Sequence, residues 1–520
     1  MLTQVCRDPN LSEYGAFDRN WWHYKVRDFS SIILQQGGYA LYCASLLEGM
    51  EAKSDVLQRL AGASAKFWNK RACKFHAFEE YYPWEQGYPP VAFSTLAVAK
   101  LAGVGAIPIA DVYEGLKNAA AQLLSRFETK ATNQQVAGTA ALCWIRKVAP
   151  ELVDERRFSE ICRRTLDCQH QEGWYMEYGG PDLGYLAVTM DCLWDAFDAT
   201  GDQRFRDSSA RALAFIDAFT RLPGRGAGMH NARNTDYIVP YGIARFLEDQ
   251  DMSGKAWAVI ERVFENISDP EHFLHAVDDR YFCHYIGHSL FRSLSLIRKA
   301  EALSVSGVEE CTMASFPGTG HFIFPRMSFN GAALISAKKG GVFTVWFKDA
   351  PVSDFGWVVS TGNSEWVSHW WGDFWSIDQT ENSVTVEGFL TPCKSNESTP
   401  SKHLALRGMS LLMGRRIIGL LKEWMIFKEK QKRDLEFSRK ISWDDASVTV
   451  VDRIQLPEDA EVKRAPRSSR RHVASADSYH EEDMRLASSH ILLQESQKAV
   501  GTMLEITTKY ESKSINRMSG

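Results

Sequence analysis

Several segments of this 520-residue chain bring together residue types that do chemistry. Asn133 and Gln134 stand side by side at the start of an apolar-periodic run, and Glu177 and Tyr178 precede the pair Gly179-Gly180. His230, Arg233 and Tyr237 share one stretch after a glycine-rich turn, and His369 sits among Trp366, Trp370, Trp371 and Trp375. Tyrosine and histidine take or deliver protons at a reacting centre. A guanidinium meets a carboxylate as a two-pronged fork, while Asn and Gln donate to a developing anion without carrying a proton. Each group also has a plainer reading. Asn133 suits a helix cap, Tyr185 opens an apolar helix and suits its core, Tyr237 and Tyr241 flank a proline and suit loop packing, and alternating tryptophans suit a β core.

Other chemistries are poorly supported. His284 and His288 have the i, i+4 spacing of a helical ligand pair but lack the glutamate of a zincin, and His272 and His275 are three apart. No cofactor is expected, and a structural ion beside His369 is the one metal site weighed. Neither GxGxxG nor GxxxxGK[ST] occurs. The ten cysteines are scattered without CxxC pairs, which reads as reduced thiols. A net charge of −5 argues against coating nucleic acid or an anionic membrane. The basic stretch 463–471 reads as a solvated linker. No apolar run is long enough to span a bilayer. The first residues show no signal peptide, so a cytoplasmic location is expected, or a periplasmic or secreted one if a leader was removed.

The elements that must position these residues change period along the chain. From about 28 to 302, apolar residues recur at i, i+3, i+4 and i+7 in ten to twelve segments separated by short turns. Such hairpins pack antiparallel and either extend as a solenoid or close into a ring. Three longer connections, 78–90, 172–184 and 222–241, are rich in Tyr, Trp, Glu, Asn and Gly; burying them is costly unless they line a site. The first carries Glu79, Glu80 and Glu85 with Tyr81, Tyr82 and Trp84. Beyond Gly318 the period is two, with Lys338 to Gly341 as a hairpin turn. The expected fold class is α+β multidomain: a helical unit over 1–310, an antiparallel β unit over 318–510, and a tail over 511–520. Residues 404–434 read as a helix or helix-turn insert and 392–402 as a solvated loop.

This order of elements resembles the heparinase II/III-like polysaccharide lyases and their alginate-lyase relatives. Three motifs carry the resemblance: TNQQVAGTAAL from Thr132, EGWYMEYGGPDLGYL from Glu172, and WVSHWWGDF from Trp366. The first departs from the family, since Gln134 stands where a histidine follows the asparagine. The resemblance implies an incomplete (α/α) toroid capped by a β-sandwich, and β-elimination on a uronic-acid-containing glycan, in which the C5 proton is removed and the C4 oxygen expelled. It makes Asn133 the neutraliser of the uronate carboxylate, beside Gln134, and Tyr178 and Tyr185 the matched tyrosines. His230 is then the substitute proton carrier, with Arg233 meeting the carboxylate. Glu177, Tyr237, Trp84, Tyr82, His369 and Trp371 are expected at the substrate, an acidic polysaccharide or oligosaccharide; the oligomeric state is open. A uronosyl C5-epimerase abstracts the same proton. A toroid hydrolase would set Glu79 or Glu80 against Glu177 or Asp182. A glycan-binding or polysaccharide-assembly protein without catalysis is the alternative of another class.

Overall fold

The computed structural model describes residues 1–74, 78–223, 228–235, 237–269, 272–300, 313–329, 331–347, 350–362, 364–393, 399–414, 435–465, 491–500 and 502–512. Its first half is two concentric layers of helices. The inner helices are Gln36–Ser45, Tyr88–Gly103, Thr132–Val148, Leu183–Thr200, the short Tyr241–Ala244, and Tyr285–Ala300. Each packs on the next, and the last returns to the first, so the inner ring closes. The outer helices are Ser54–Ala72, Tyr113–Leu124, Glu155–Asp167, Gln203–Thr220 and Ser253–Phe264. Among the described residues there are thus six inner helices and five outer ones, and the toroid is incomplete only in its outer layer.

Sequence pattern decides the layer. Tyr88–Gly103 and Leu183–Thr200 are apolar nearly all round and buried along most of their length, as a helix enclosed by others must be. Glu155–Asp167 buries only Phe158, Ile161, Cys162 and Thr165, one stripe at i, i+3, i+4 and i+7. Closure of the inner ring places charge where there is no water. Lys100 and Arg292 both reach Asp195, at 2.6 and 2.5 Å, inside the ring; an unpaired charge there would be prohibitive.

The last helix ends at Ala300 and the first strand begins at Ala314, a few residues ahead of the expected start of the β unit. Five antiparallel strands in chain order form the first sheet: Ala314–Phe316, His321–Phe324, Gly331–Ser336, Val342–Phe347 and Ala350–Asp354. A six-stranded sheet, containing Ser383–Phe389, Glu436–Trp443, Ser447–Gln455 and Met503–Ser512, packs across one face of it. A third sheet runs Thr391–Cys393, Ser364–Val367, Trp357–Thr361, Glu461–Arg464.

The first sheet is buried on both faces. Phe322 and Ile335, paired in register, point into the sandwich core, whereas their neighbours Ile323 and Leu334, also paired, belong to the helical core. Period-two alternation, read from sequence as inside against outside, here divides two cores.

In the segment read as a helix or helix-turn insert, a helix occupies Pro400–Met413, and 415–434 lie outside the described residues. Its Ser410 donates to the Pro83 carbonyl at 3.3 Å and its Arg407 pairs with Asp28, so the β unit also grips the toroid rim at the 78–90 loop. The supposed solvated loop 392–402 is bracketed by structure: Pro392 and Cys393 lie in a strand and Pro400 starts that helix. Of the supposed basic linker, Lys463 and Arg464 are strand residues, and Arg464 pairs with Asp354 and Glu495. Its residues 466–471 lie outside the described residues, and of the expected tail 511–520, Glu511 and Ser512 end the strand Met503–Ser512 while 513–520 lie outside them.

Candidate active site

The loop 176–182 is held on two sides by other loops. Thr132 N–H donates to the Met176 carbonyl and Tyr178 N–H to the Lys130 carbonyl, which ties the loop to the start of the Thr132–Val148 helix. On the other side, Ala232 N–H donates to the Pro181 carbonyl and Thr235 N–H to Asp182. Asp182 also caps Leu183–Thr200 by accepting from Tyr185 N–H. The loop closes on itself through Glu177 N–H to the Gly180 carbonyl, and Tyr178 takes a left-handed backbone with φ 52°. A non-glycine residue in that region carries local strain, of the kind that collects at working sites.

This arrangement collects side chains from three elements around one phenol. Gln134 Nε2 donates to the Tyr178 hydroxyl at 2.7 Å, and the Arg233 guanidinium lies over the Tyr178 ring, 4.5 Å from its centroid. Arg233 is nearly buried, makes no ion pair among the described residues, and its Nε has no hydrogen-bond partner there. Burial pushes the Tyr178 phenol well above its ordinary range and the Tyr185 hydroxyl adds to this, while Arg233 and Gln134 pull the other way. The β unit supplies the roof. A Cβ on Gly180 would stand 2.5 Å from the Trp371 indole and 2.8 Å from the Ala232 Cβ, so only glycine lets Trp371 lie on the loop.

The neighbouring carboxyls are occupied. Glu177 accepts from Asn133 N–H at 2.6 Å, and burial drives it well above the carboxylate range. Asp182 is raised to about 6, again chiefly by burial. Asn133 is the second residue of its helix, not the cap, which is Ala131. Its Oδ1 and Glu177 Oε2 are both buried without a hydrogen-bond partner among the described residues.

Other expected residues lie elsewhere. His230 does not stand at the phenol: its ring nitrogens meet Ser336 Oγ at 2.8 Å and Thr344 Oγ1 at 2.9 Å, both on the first sheet. Burial holds it far below the ordinary histidine range, with His321 and Lys339 adding to the effect. It is therefore a neutral interdomain hydrogen-bonding group. Tyr237 is buried and meets the Tyr285 hydroxyl at 2.5 Å. His369 is buried in the segment that carries Trp371. Tyr82 is buried and Trp84 half-buried within the 78–90 loop, where Trp84 N–H donates to Glu79.

In that loop Glu79 pairs with Arg71, and Glu85 accepts from the N–H groups of Glu80 and Tyr81. Tyr81 is largely exposed. Its phenol is raised chiefly by the Glu80 carboxyl and next by desolvation of the hydroxyl, with smaller contributions from Tyr281 and Tyr185. Among the described residues no group of three or more His, Cys, Asp and Glu side chains is arranged to hold a metal ion. None is long and apolar enough as a helix to cross a membrane.

Sequence reasoning missed Lys339. It belongs to the expected hairpin turn, but its ammonium is buried against the loop that carries Arg233; nothing in the KKGG pattern distinguishes it from Lys338, whose ammonium stays with Gly318 and Asp373.

No family model matches the chain, and no curated protein matches it. Solved structures do. The crystal structure of heparinase III is 10% identical, with a TM-score of 0.45 over 99% of this chain and 85% of that one. The chondroitin AC lyase of Streptomyces coelicolor A3, solved in complex with chondroitin sulphate, is 11% identical, with a TM-score of 0.49 over 92% of this chain and 72% of that one. A tyrosine mutant of that lyase gives 0.45 over the same shares. The chain is similar to these polysaccharide lyases along most of its length, and its own architecture is a helical toroid followed by an antiparallel β-sandwich.

Proposed function

We propose that this chain is a polysaccharide or oligosaccharide lyase that cleaves a uronic-acid-containing glycan by β-elimination. One observation carries the reading: the Tyr178 phenol is gripped by an amide donor and covered by the Arg233 guanidinium, which acts electrostatically on Glu177 and Asp182 but makes no ion pair among the described residues. A proton alpha to a charged carboxylate is barely acidic, so its removal needs positive or donating groups on that carboxylate. Arg233 and Gln134 have that character. Deprotonated Tyr178 takes the C5 proton, the C–H electron pair becomes the C4–C5 double bond, and the C4–O bond breaks. The same phenol then stands ready to protonate the departing oxygen. Gln134 is a donor, not a proton carrier, so Tyr178 alone moves protons in this scheme.

The hydrolase alternative is less well supported, because it needs two carboxyls facing one bond. Here Glu79 is in an ion pair, Glu80 is buried and hydrogen-bonded with the Tyr81 side chain, Glu177 accepts from backbone, and Asp182 caps a helix.

The test is a panel of uronate glycans followed by the absorbance of the conjugated 4,5-ene. The expected result is an unsaturated product from the wild-type chain and a loss on the order of 10²–10⁴-fold in Tyr178→Phe. Full activity in Tyr178→Phe removes the proposed base. Deuterium uptake at C5 without new absorbance indicates the epimerase instead.

A further inference from the structure

Lys339 lies at the end of the short 3-10 turn Ala337–Lys339, in the hairpin between Gly331–Ser336 and Val342–Phe347. Unlike a surface hairpin lysine it is only 2% exposed. Its ammonium crosses from the sandwich into the toroid and donates to three acceptors: the Met229 and Asn231 carbonyls, each at 2.6 Å, and Asn234 Oδ1 at 2.5 Å. These residues bracket Arg233, and Asn234 itself has a left-handed backbone with φ 58°. His321 Nε2 meets the His230 carbonyl at 2.9 Å, and the His230 ring bridges Ser336 and Thr344. The loop that carries Arg233 is therefore shaped from outside the toroid. Lysine has three donors and no acceptor, and here all three have partners. Without the ammonium, two carbonyls and an amide oxygen would stay buried with a donor lost, at a cost of desolvation for each.

We infer that Lys339 is a positioning residue: its three hydrogen bonds hold loop 228–235 in the shape that lays Arg233 over Tyr178, so the site is complete only when the sandwich is docked. The assignment builds on the lyase reading for its catalytic consequence, though the pin itself is a matter of structure.

The test uses the full chain with Lys339→Met, and Asn234→Ala as a milder variant that removes one acceptor. Phenylglyoxal modifies accessible arginines, and peptide mass spectrometry reads each separately. In the wild type, Arg233 is protected by its near-complete burial; in Lys339→Met it should react on the order of tenfold faster, and in Asn234→Ala by a smaller factor, because the loop opens locally. Arg439, fully buried in the sandwich, should stay protected in both. Asn234→Asp keeps the acceptor and tolerates the left-handed backbone, so its Arg233 should react as in the wild type. Unchanged protection of Arg233 in both Lys339→Met and Asn234→Ala overturns the inference. So does simultaneous labelling of Arg439, which would make Lys339 a requirement of the fold as a whole.

On a glycan that the wild type cleaves, Lys339→Met should lose kcat on the order of 10²-fold with KM nearly unchanged, the signature of a misplaced group. A change confined to the melting temperature overturns the positioning role. If the wild type yields no unsaturated product, the lyase reading fails while the arginine labelling still decides the pin.

Discussion

Tyr178 illustrates how one side chain is prepared by its neighbours and opposed by its surroundings. Burial favours the neutral phenol, and only Arg233 and Gln134 among its described neighbours favour the phenolate, so substitution of either should impair proton removal before it impairs binding. A second pair of groups couples protonation to stability. Glu80 and Glu85 are both buried in the 78–90 loop; burial raises Glu80 to about 7, and burial together with the Glu80 carboxyl raises Glu85 to about 8. Relative to an ordinary glutamate near 4.5, the folded chain holds protons that the unfolded chain has released. Their stabilisation is therefore complete below about pH 4.5 and is lost as pH rises through about 7 to 8. Glu85→Gln keeps an acceptor for the Glu80 and Tyr81 N–H groups but cannot ionise. Urea unfolding at about pH 5 and about pH 9 should show a smaller loss of stability with pH in Glu85→Gln than in the wild type; equal slopes would mean that this carboxyl ionises freely in the folded state.

At the scale of elements, the site depends on loops that lie against one another with no room for an added carbon. Gly180 is pressed between Trp371 and Ala232. Gly180→Ala should cost about 1–3 kcal/mol by overpacking and push Trp371 off the loop. The change in tryptophan emission should accompany the loss of stability in the same denaturation experiment. An alanine variant with wild-type emission and stability would show that the loop has slack. Gly184 is similarly confined, by Thr235 and the Tyr237 carbonyl, so the 182–184 turn cannot move away from Thr235 without consequence for Asp182, which accepts from the N–H groups of both Tyr185 and Thr235.

For the molecule as a whole, the first β-sheet belongs to two cores at once. Leu334 packs into the helical core while its strand neighbours Ala333 and Ile335 pack into the sandwich. Leu334→Ala should cost about 2–5 kcal/mol. Because the sheet is shared, calorimetry should show toroid and sandwich losing stability together. Two separate transitions with only one displaced would show that the halves unfold independently. A further bridge, from the Pro400–Met413 helix to Asp28 and Pro83, lies at the loop that carries Glu80 and Tyr81.

The helical layers and the change to a β unit were legible in the sequence because each follows from local periodicity: 3.6 for a helix, 2 for a strand, and continuous apolarity for an enclosed helix. Gln134 and Tyr178 were named through the motifs that resemble the lyase family and Arg233 from its chemistry beside a glycine-rich turn, and the structure brings these three together. Tertiary structure alone decided the rest. Whether His230 faced the Tyr178 phenol or the sandwich depended on where the first sheet docks, and Ser336 and Thr344 lie more than a hundred residues away. Lys339 looked like an ordinary hairpin lysine for the same reason: its acceptors are carbonyls of a distant loop, and backbone carbonyls leave no mark on a sequence. Periodicity reports which face of an element is buried. It does not report what covers that face, and here what covers it determines which residues reach the phenol.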